Sequence, residues 1–125
     1  MKKVLIIDSD PLFARTIARI LETENFSALI ATDGKDATGK LSAHRFDLVI
    51  TDAFMPYVNG PEMIHKVRNQ SVDVPIMVVS DVSHEQSIAG WLHAGADAHL
   101  QKPLNIPQFL TGIRQLMIYQ NHVAA

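Results

Sequence analysis

Cysteine is absent from the 125 residues, which excludes disulfides, thiol nucleophiles and cysteine-based metal sites and fits a reducing compartment. Cytoplasm is the expected location. Runs of Lys and Arg are missing too, and with a formal net charge of -2 the chain has no electrostatic footprint for gripping a phosphate backbone. Long apolar runs are the third absence. Val4 to Ile7 follows Lys2 and Lys3 as a signal peptide would, but Asp8 interrupts it far short of a secretion signal or a membrane span. Nucleic-acid binding by this chain alone and membrane insertion are therefore not expected. With 47% apolar and 19% charged residues the composition is ordinary for a soluble globular protein and suggests neither disorder nor a membrane-embedded class. No linker, repeat or low-complexity segment divides the chain, so a single domain over residues 1–125 is expected, long enough for one core without staples.

What is there is a regular alternation. Val4 to Ile7, Leu48 to Thr51, Ile76 to Val79 and, more weakly, Ala28 to Ala31 are short apolar runs of strands buried on both faces, with a more polar fifth at Ala98 to Gln101. Helical period lies between them: Leu12, Phe13, Thr16, Ile17, Ile20 and Leu21 share one face, as do Ile106, Phe109, Leu110, Ile113, Leu116 and Met117. Shorter helices fit Met63-Ile64-Val67 and Ile88-Trp91-Leu92, and Gly34 to Ala43 is a poorer one because of Gly39. Asp10-Pro11 and Gly60-Pro61 place Pro at a first helical position, while Ser83 with Gln86 and Asn105 with Gln108 form capping-box patterns. Strands alternating with helices over short connections imply an α/β fold, a doubly wound five-stranded parallel sheet with five helices.

In such sheets ligands bind beyond the carboxyl ends of the strands. The first strand ends in Asp8-Ser9-Asp10, the third in Asp52, the fourth in Ser80-Asp81 and the fifth in Lys102-Pro103. Topology thus gathers carboxylates, a hydroxyl and an ammonium along one edge. Clustered carboxylates repel, each pair by about 3 kcal/mol at an effective dielectric near 20, unless a cation or protons compensate. Mg²⁺ is the natural partner, since it accepts one or two carboxylates with waters and phosphate. A carboxylate beside it can attack phosphorus and form an acyl phosphate, with Lys102 and Ser80 holding the phosphoryl oxygens. A strand-ending Asp on its own is more often a turn residue, and Asp10, followed by Pro11, reads first as a helix N-cap. The agreement of four strand ends favours the chemical reading.

VLIIDSDP, DLVITDAFMPYVNG, PIMVVS and AGADAHLQKP, in this order and spacing, resemble the receiver domain of two-component response regulators over nearly the whole chain. The resemblance implies a flavodoxin-like sheet of strand order 2-1-3-4-5. It implies a phosphorelay module that takes a phosphoryl group at Asp52 from a histidine kinase or phosphotransfer protein and switches its binding to a downstream protein. Asp8, Asp52 and the backbone carbonyl of Phe54 would hold Mg²⁺, with Ser9 and Asp10 as further candidates. Ser80 and Lys102 would meet the phosphoryl group, Ser80 and His99 would form the switch, and Lys102-Pro103 would be a cis peptide.

Three positions depart from the family pattern. Ser9 replaces a second acid, Asp81 replaces a small residue where the phosphodonor approaches, and His99 replaces an aromatic relay residue. His99 is read two ways, as a plain partly exposed histidine or as a switch. Ser9 and Asp81 keep open a pseudo-receiver, an interaction module that retains the fold without phosphorylation. A third reading takes IIDSDPLF as the start of a haloacid-dehalogenase-like phosphatase using Asp8. Against it, Leu12 stands where Thr or Val is usual and no later acidic pair occurs. The remaining histidines, His44, His65, His84, His93 and His122, form no i, i+4 pair and are read as solvated, and Trp91, Met63, Met77 and Met117 as core.

Overall fold

The apolar runs become the centre of one parallel sheet because their residues are shed from water on both faces. In the computed structural model residues 1–55, 58–81 and 85–124 are described, with backbone alone for 119–124. In chain order the elements are β1 (Lys2–Ile7), α1 (Pro11–Glu22), β2 (Phe26–Ala31), α2 (Gly34–Ala43), β3 (Leu48–Asp52), β4 (Phe54–Met55), β5 (Val58–Asn59), α3 (Gly60–Gln70), β6 (Ile76–Ser80), α4 (Glu85–Ala94), β7 (Ala98–Gln101) and α5 (Ile106–Ala124). The main sheet has the order β2-β1-β3-β6-β7, all parallel. Counting only its own strands this is the expected 2-1-3-4-5.

Alternation along the strands sorts the core into two layers. Leu5, Ile7, Val49, Ile76 and Val78 face α2, α3 and α4, where Leu41, Met63, Ile64, Val67 and Trp91 are buried. Val4, Ile6, Leu48, Ile50, Met77 and Val79 face α1 and α5 and meet Ala14, Ile17, Leu21, Phe109 and Ile113. Met117 packs against this second layer half-buried.

Several boundaries differ from expectation. β2 starts at Phe26, two residues early, because that ring is buried under α1 and α5. β3 and β6 extend through Asp52 and Ser80, so these polar residues belong to the strands. Gly60, with Asn59 as its N-cap, opens α3 and leaves Pro61 at the second position. Asn59 accepts from the Glu62 N–H and its side-chain amide donates to the Glu62 carboxylate, so the N-cap of the motif N-G-P-E is closed side chain to side chain. The antiparallel pair β4–β5 was not expected. α2 forms in spite of Gly39, whose Cα faces open space. Asn105 caps the Gln108 N–H at 2.9 Å as expected. The expectation for Ser83 with Gln86, and those for His84 and for the His122 side chain, lie outside the described residues. His65 and His93 are exposed, as is His44, whose Nδ1 lies 3.2 Å from Lys3 Nζ. Among the described residues no helix is long and apolar enough to cross a membrane.

Candidate functional site

Strand register brings the polar ends level. Ile7 is paired with Thr51 and Asp52 with Val79, so Asp8, one step beyond β1, comes beside Asp52; Ser80 is paired with Gln101, so Lys102 follows directly. Parity then decides the face. Asp8, Asp52 and Lys102 continue the series Val4-Ile6, Leu48-Ile50 and Ala98-Leu100 on the α1–α5 side, whereas Ser80 continues Ile76-Val78 on the α4 side.

The contacts follow that division. Lys102 Nζ lies 3.0 Å from Asp8 Oδ2 and 3.5 Å from Asp52 Oδ2, with side-chain exposures of 15%, 3% and 13% respectively. Asp8 Oδ1 accepts from the Asp10 N–H at 2.9 Å, and the Asp8 N–H donates to Ala31 O at 3.0 Å. Asp52 Oδ1 accepts from the Phe54 N–H at 3.3 Å. The Lys102 ammonium also sits 4.2 Å from the centre of the Phe13 ring. The Lys102-Pro103 peptide is cis. On the other face, the fully buried Ser80 places Oγ 3.4 Å from His99 Nε2, and the His99 ring lies 5.2 Å from that of Trp91 in α4.

Two acids share one ammonium, and this sets the protonation. Burial raises the Asp52 pKa above its ordinary 3.8; Lys102 pulls it down, Asp8 pushes it further up, and the Phe54 N–H opposes the rise. For Lys102 burial by itself lowers the pKa, but the hydrogen bond and charge of Asp8 and the charge of Asp52 outweigh it, so the net shift is upward from 10.5. The ammonium therefore stays charged at neutral pH.

The other candidates are placed differently. Asp10 Oδ1 caps α1, accepting from the N–H groups of Leu12 at 3.0 Å and Phe13 at 3.4 Å. Ser9 is exposed on the turn between the two acids. Asp81 is exposed directly after Ser80, and its carbonyl accepts from Gln101 Nε2 at 3.5 Å. His99 is half-buried in β7, as a partly exposed histidine would be. Among the described residues no three His, Cys, Asp or Glu side chains converge on a point. The oxygen donors at the site are two carboxylates with a neutral Ser9 hydroxyl and backbone nearby, and this set with its excess negative charge suits a hard divalent cation that keeps several waters. Phe13 was read from sequence only as a core residue of α1. Its aromatic character, one turn beyond the Asp8-Ser9-Asp10 turn, was the sole signal that it meets the Lys102 ammonium.

A doubly wound parallel sheet with an acid–lysine cluster beyond its strand ends is the architecture of receiver-type signalling domains, which are not classical enzymes. Comparison with known proteins agrees. The profile of the response regulator receiver domain family matches residues 4–114, and the chain belongs to that family. It is 32% identical over 117 residues to the response regulator ArlR of Staphylococcus aureus, covering 94% of this chain and 53% of that protein. The chain thus spans about half the length of the curated relatives it matches. Among solved structures it resembles a two-component response regulator from Clostridium difficile, with a TM-score of 0.93 at 27% identity over 97% of this chain and 99% of that one. A response regulator from Burkholderia pseudomallei, solved with a phosphorylated aspartic acid, a calcium ion and citrate, gives 0.85 at 25% identity over 99% and 71% of the two chains. Family membership removes the ground for the dehalogenase-like reading, whose nucleophile Asp8 is buried under Lys102.

Proposed function

We propose that this receiver is a phosphoacceptor in a cytoplasmic phosphorelay, taking a phosphoryl group on Asp52 from a histidine kinase or phosphotransfer protein. The observation that carries the reading is the convergence of Asp8 and Asp52 on the single Lys102 ammonium, an arrangement with one negative charge in excess. A bound Mg²⁺ would supply charge neutralisation for the phosphoryl oxygens, and Asp8, Asp52 and the Phe54 carbonyl would hold it, with Ser9 adding a neutral oxygen where the family pattern has an acid. Asp52, aimed by the Phe54 N–H and Lys102, attacks phosphorus through a carboxylate oxygen. The O–P bond forms as the P–N bond of the donor phosphohistidine breaks, and the leaving imidazole nitrogen takes a proton. Lys102 then pairs with a phosphoryl oxygen. The Ser80 hydroxyl turns toward another, changing its contact with His99 and, through Trp91, the α4 surface offered to a downstream protein.

Intact-mass measurement after incubation with phosphoramidate and Mg²⁺ tests this. One phosphoryl group is expected on the wild type and none on Asp52→Asn. Labelling that persists in Asp52→Asn overturns the site, and an unlabelled wild type leaves the pseudo-receiver, an interaction module that keeps the fold without the chemistry.

A further inference from the structure

We infer that Phe13 is a positioning residue for Lys102, its ring face holding the ammonium at the site independently of the two carboxylates. An ammonium has three N–H donors and a single stem. Asp8 and Asp52 lie at 3.0 and 3.5 Å, and the Phe13 ring centre, at 4.2 Å, is well inside the reach of a cation–π contact. The ring is itself fixed. It packs half-buried against the α1–α5 core, and the Phe13 N–H is bound to Asp10 Oδ1, while the Asp10 N–H is bound to Asp8 Oδ1. Asp8, Asp10, Phe13 and Lys102 therefore close a ring of contacts in which the turn that aims Asp8 also sets the aromatic platform under Lys102.

The platform has a property that neither carboxylate has. In the phosphoacceptor reading, on which the kinetic consequence rests, Asp8 must serve a cation and Asp52 must bond to phosphorus, so both weaken their hold on Lys102 during transfer. A neutral ring has no such second duty. It keeps the flexible four-carbon stem folded inward without competing, as an anion would, for the role of the phosphoryl oxygens.

The test replaces Phe13 alone by phenylalanines carrying one, two and three ring fluorines, which weaken the negative face of the ring with little change of shape. Two quantities are read: the upfield ring-current shift of the Lys102 ε-methylene protons in the free protein, and the rate of Asp52 labelling by phosphoramidate at saturating Mg²⁺. Both should fall in step with fluorination, the rate by about three- to tenfold in total, and Phe13→Tyr should restore both. Flat responses across the series, with Phe13→Leu alone slowing the reaction, would show that the ring only fills space and would overturn the inference. Should the wild type take no phosphoryl group, the Lys102 shift decides alone: a graded shift upholds the positioning role while the phosphoacceptor reading falls, and a flat one overturns both.

Discussion

Replacing Lys102 by Met removes the one cation between two carboxylates that are almost withdrawn from water. At 3.0 and 3.5 Å each ion pair is worth about 5 kcal/mol of Coulomb attraction at an effective dielectric of 20. The cost of desolvating the ammonium, several kcal/mol, offsets part of that sum. Truncating one partner of such a buried cluster leaves a loss of about 3–5 kcal/mol, because Asp8 and Asp52 then face each other uncompensated. The substitution keeps the stem length, so packing against Phe13 changes little. Urea unfolding at pH 7 should show this loss as a lower midpoint with an unchanged slope. Its pH dependence identifies the cause. Without the ammonium the Asp52 pKa, already raised by burial, rises further in the folded state, so the folded mutant binds more protons than its unfolded chain, and its stability falls as pH rises. By about pH 3, below the ordinary carboxylate range, most of the difference from wild type should be gone. A loss under about 1 kcal/mol, or one equal at both pH values, would refute the electrostatic account and leave Lys102 as a surface residue with screened contacts.

Further outcomes are expected. Asp52→Asn should stabilise the protein at pH 7: burial raises the folded pKa above 3.8, so the charged form is disfavoured by folding, and the urea-midpoint gain should disappear as pH falls below the usual carboxylate range. Arg68→Ala should cost about 2–4 kcal/mol by chemical unfolding, since the guanidinium donates to the carbonyls of Gly95 and Val74 at 2.7 and 2.5 Å and to Asp97, which in turn accepts from the Ile76 N–H. Gly39→Ala, on an open helix face, should raise stability by about 1 kcal/mol, whereas Gly34→Ala, whose Cβ would meet Val58 Cγ2 at 2.7 Å, should lower it; thermal melts compare the two. Asp81→Ala should speed Asp52 labelling by phosphoramidate, because an exposed acid beside Ser80 stands where an anionic donor approaches. Slower labelling with weaker Mg²⁺ affinity would make Asp81 a metal ligand instead.

Much of the fold is local in origin, which is why it was legible. Apolar runs of strand length, the 3.6-residue period of α1 and α5, and the Asp10 and Asn105 caps are each written within a few residues. Alternating strands and helices leave few ways to connect, so the strand ends carrying Asp8, Asp52, Ser80 and Lys102 could be assigned to one edge before any contact was known. The strand order itself came with the resemblance to receivers. The β4–β5 pair was missed because two-residue strands carry no period, and Arg68 because its partners, the carbonyls of Gly95 and Val74 and the Asp97 carboxylate, lie outside its own helix and leave no trace in local patterning.

The sequence by itself determined which chemical groups the protein brings to its edge, and in what order, because strand termini are set by short-range patterning. Only tertiary structure decided how those groups are partnered. Register put Asp8 beside Asp52, parity turned Ser80 away toward His99 and α4, and the packing of α1 on β1 and β2 set the Phe13 ring under an ammonium that lies far along the chain. Those contacts depend on sub-ångström registration between distant segments and on which charges burial leaves to be shared. No window of adjacent residues encodes either.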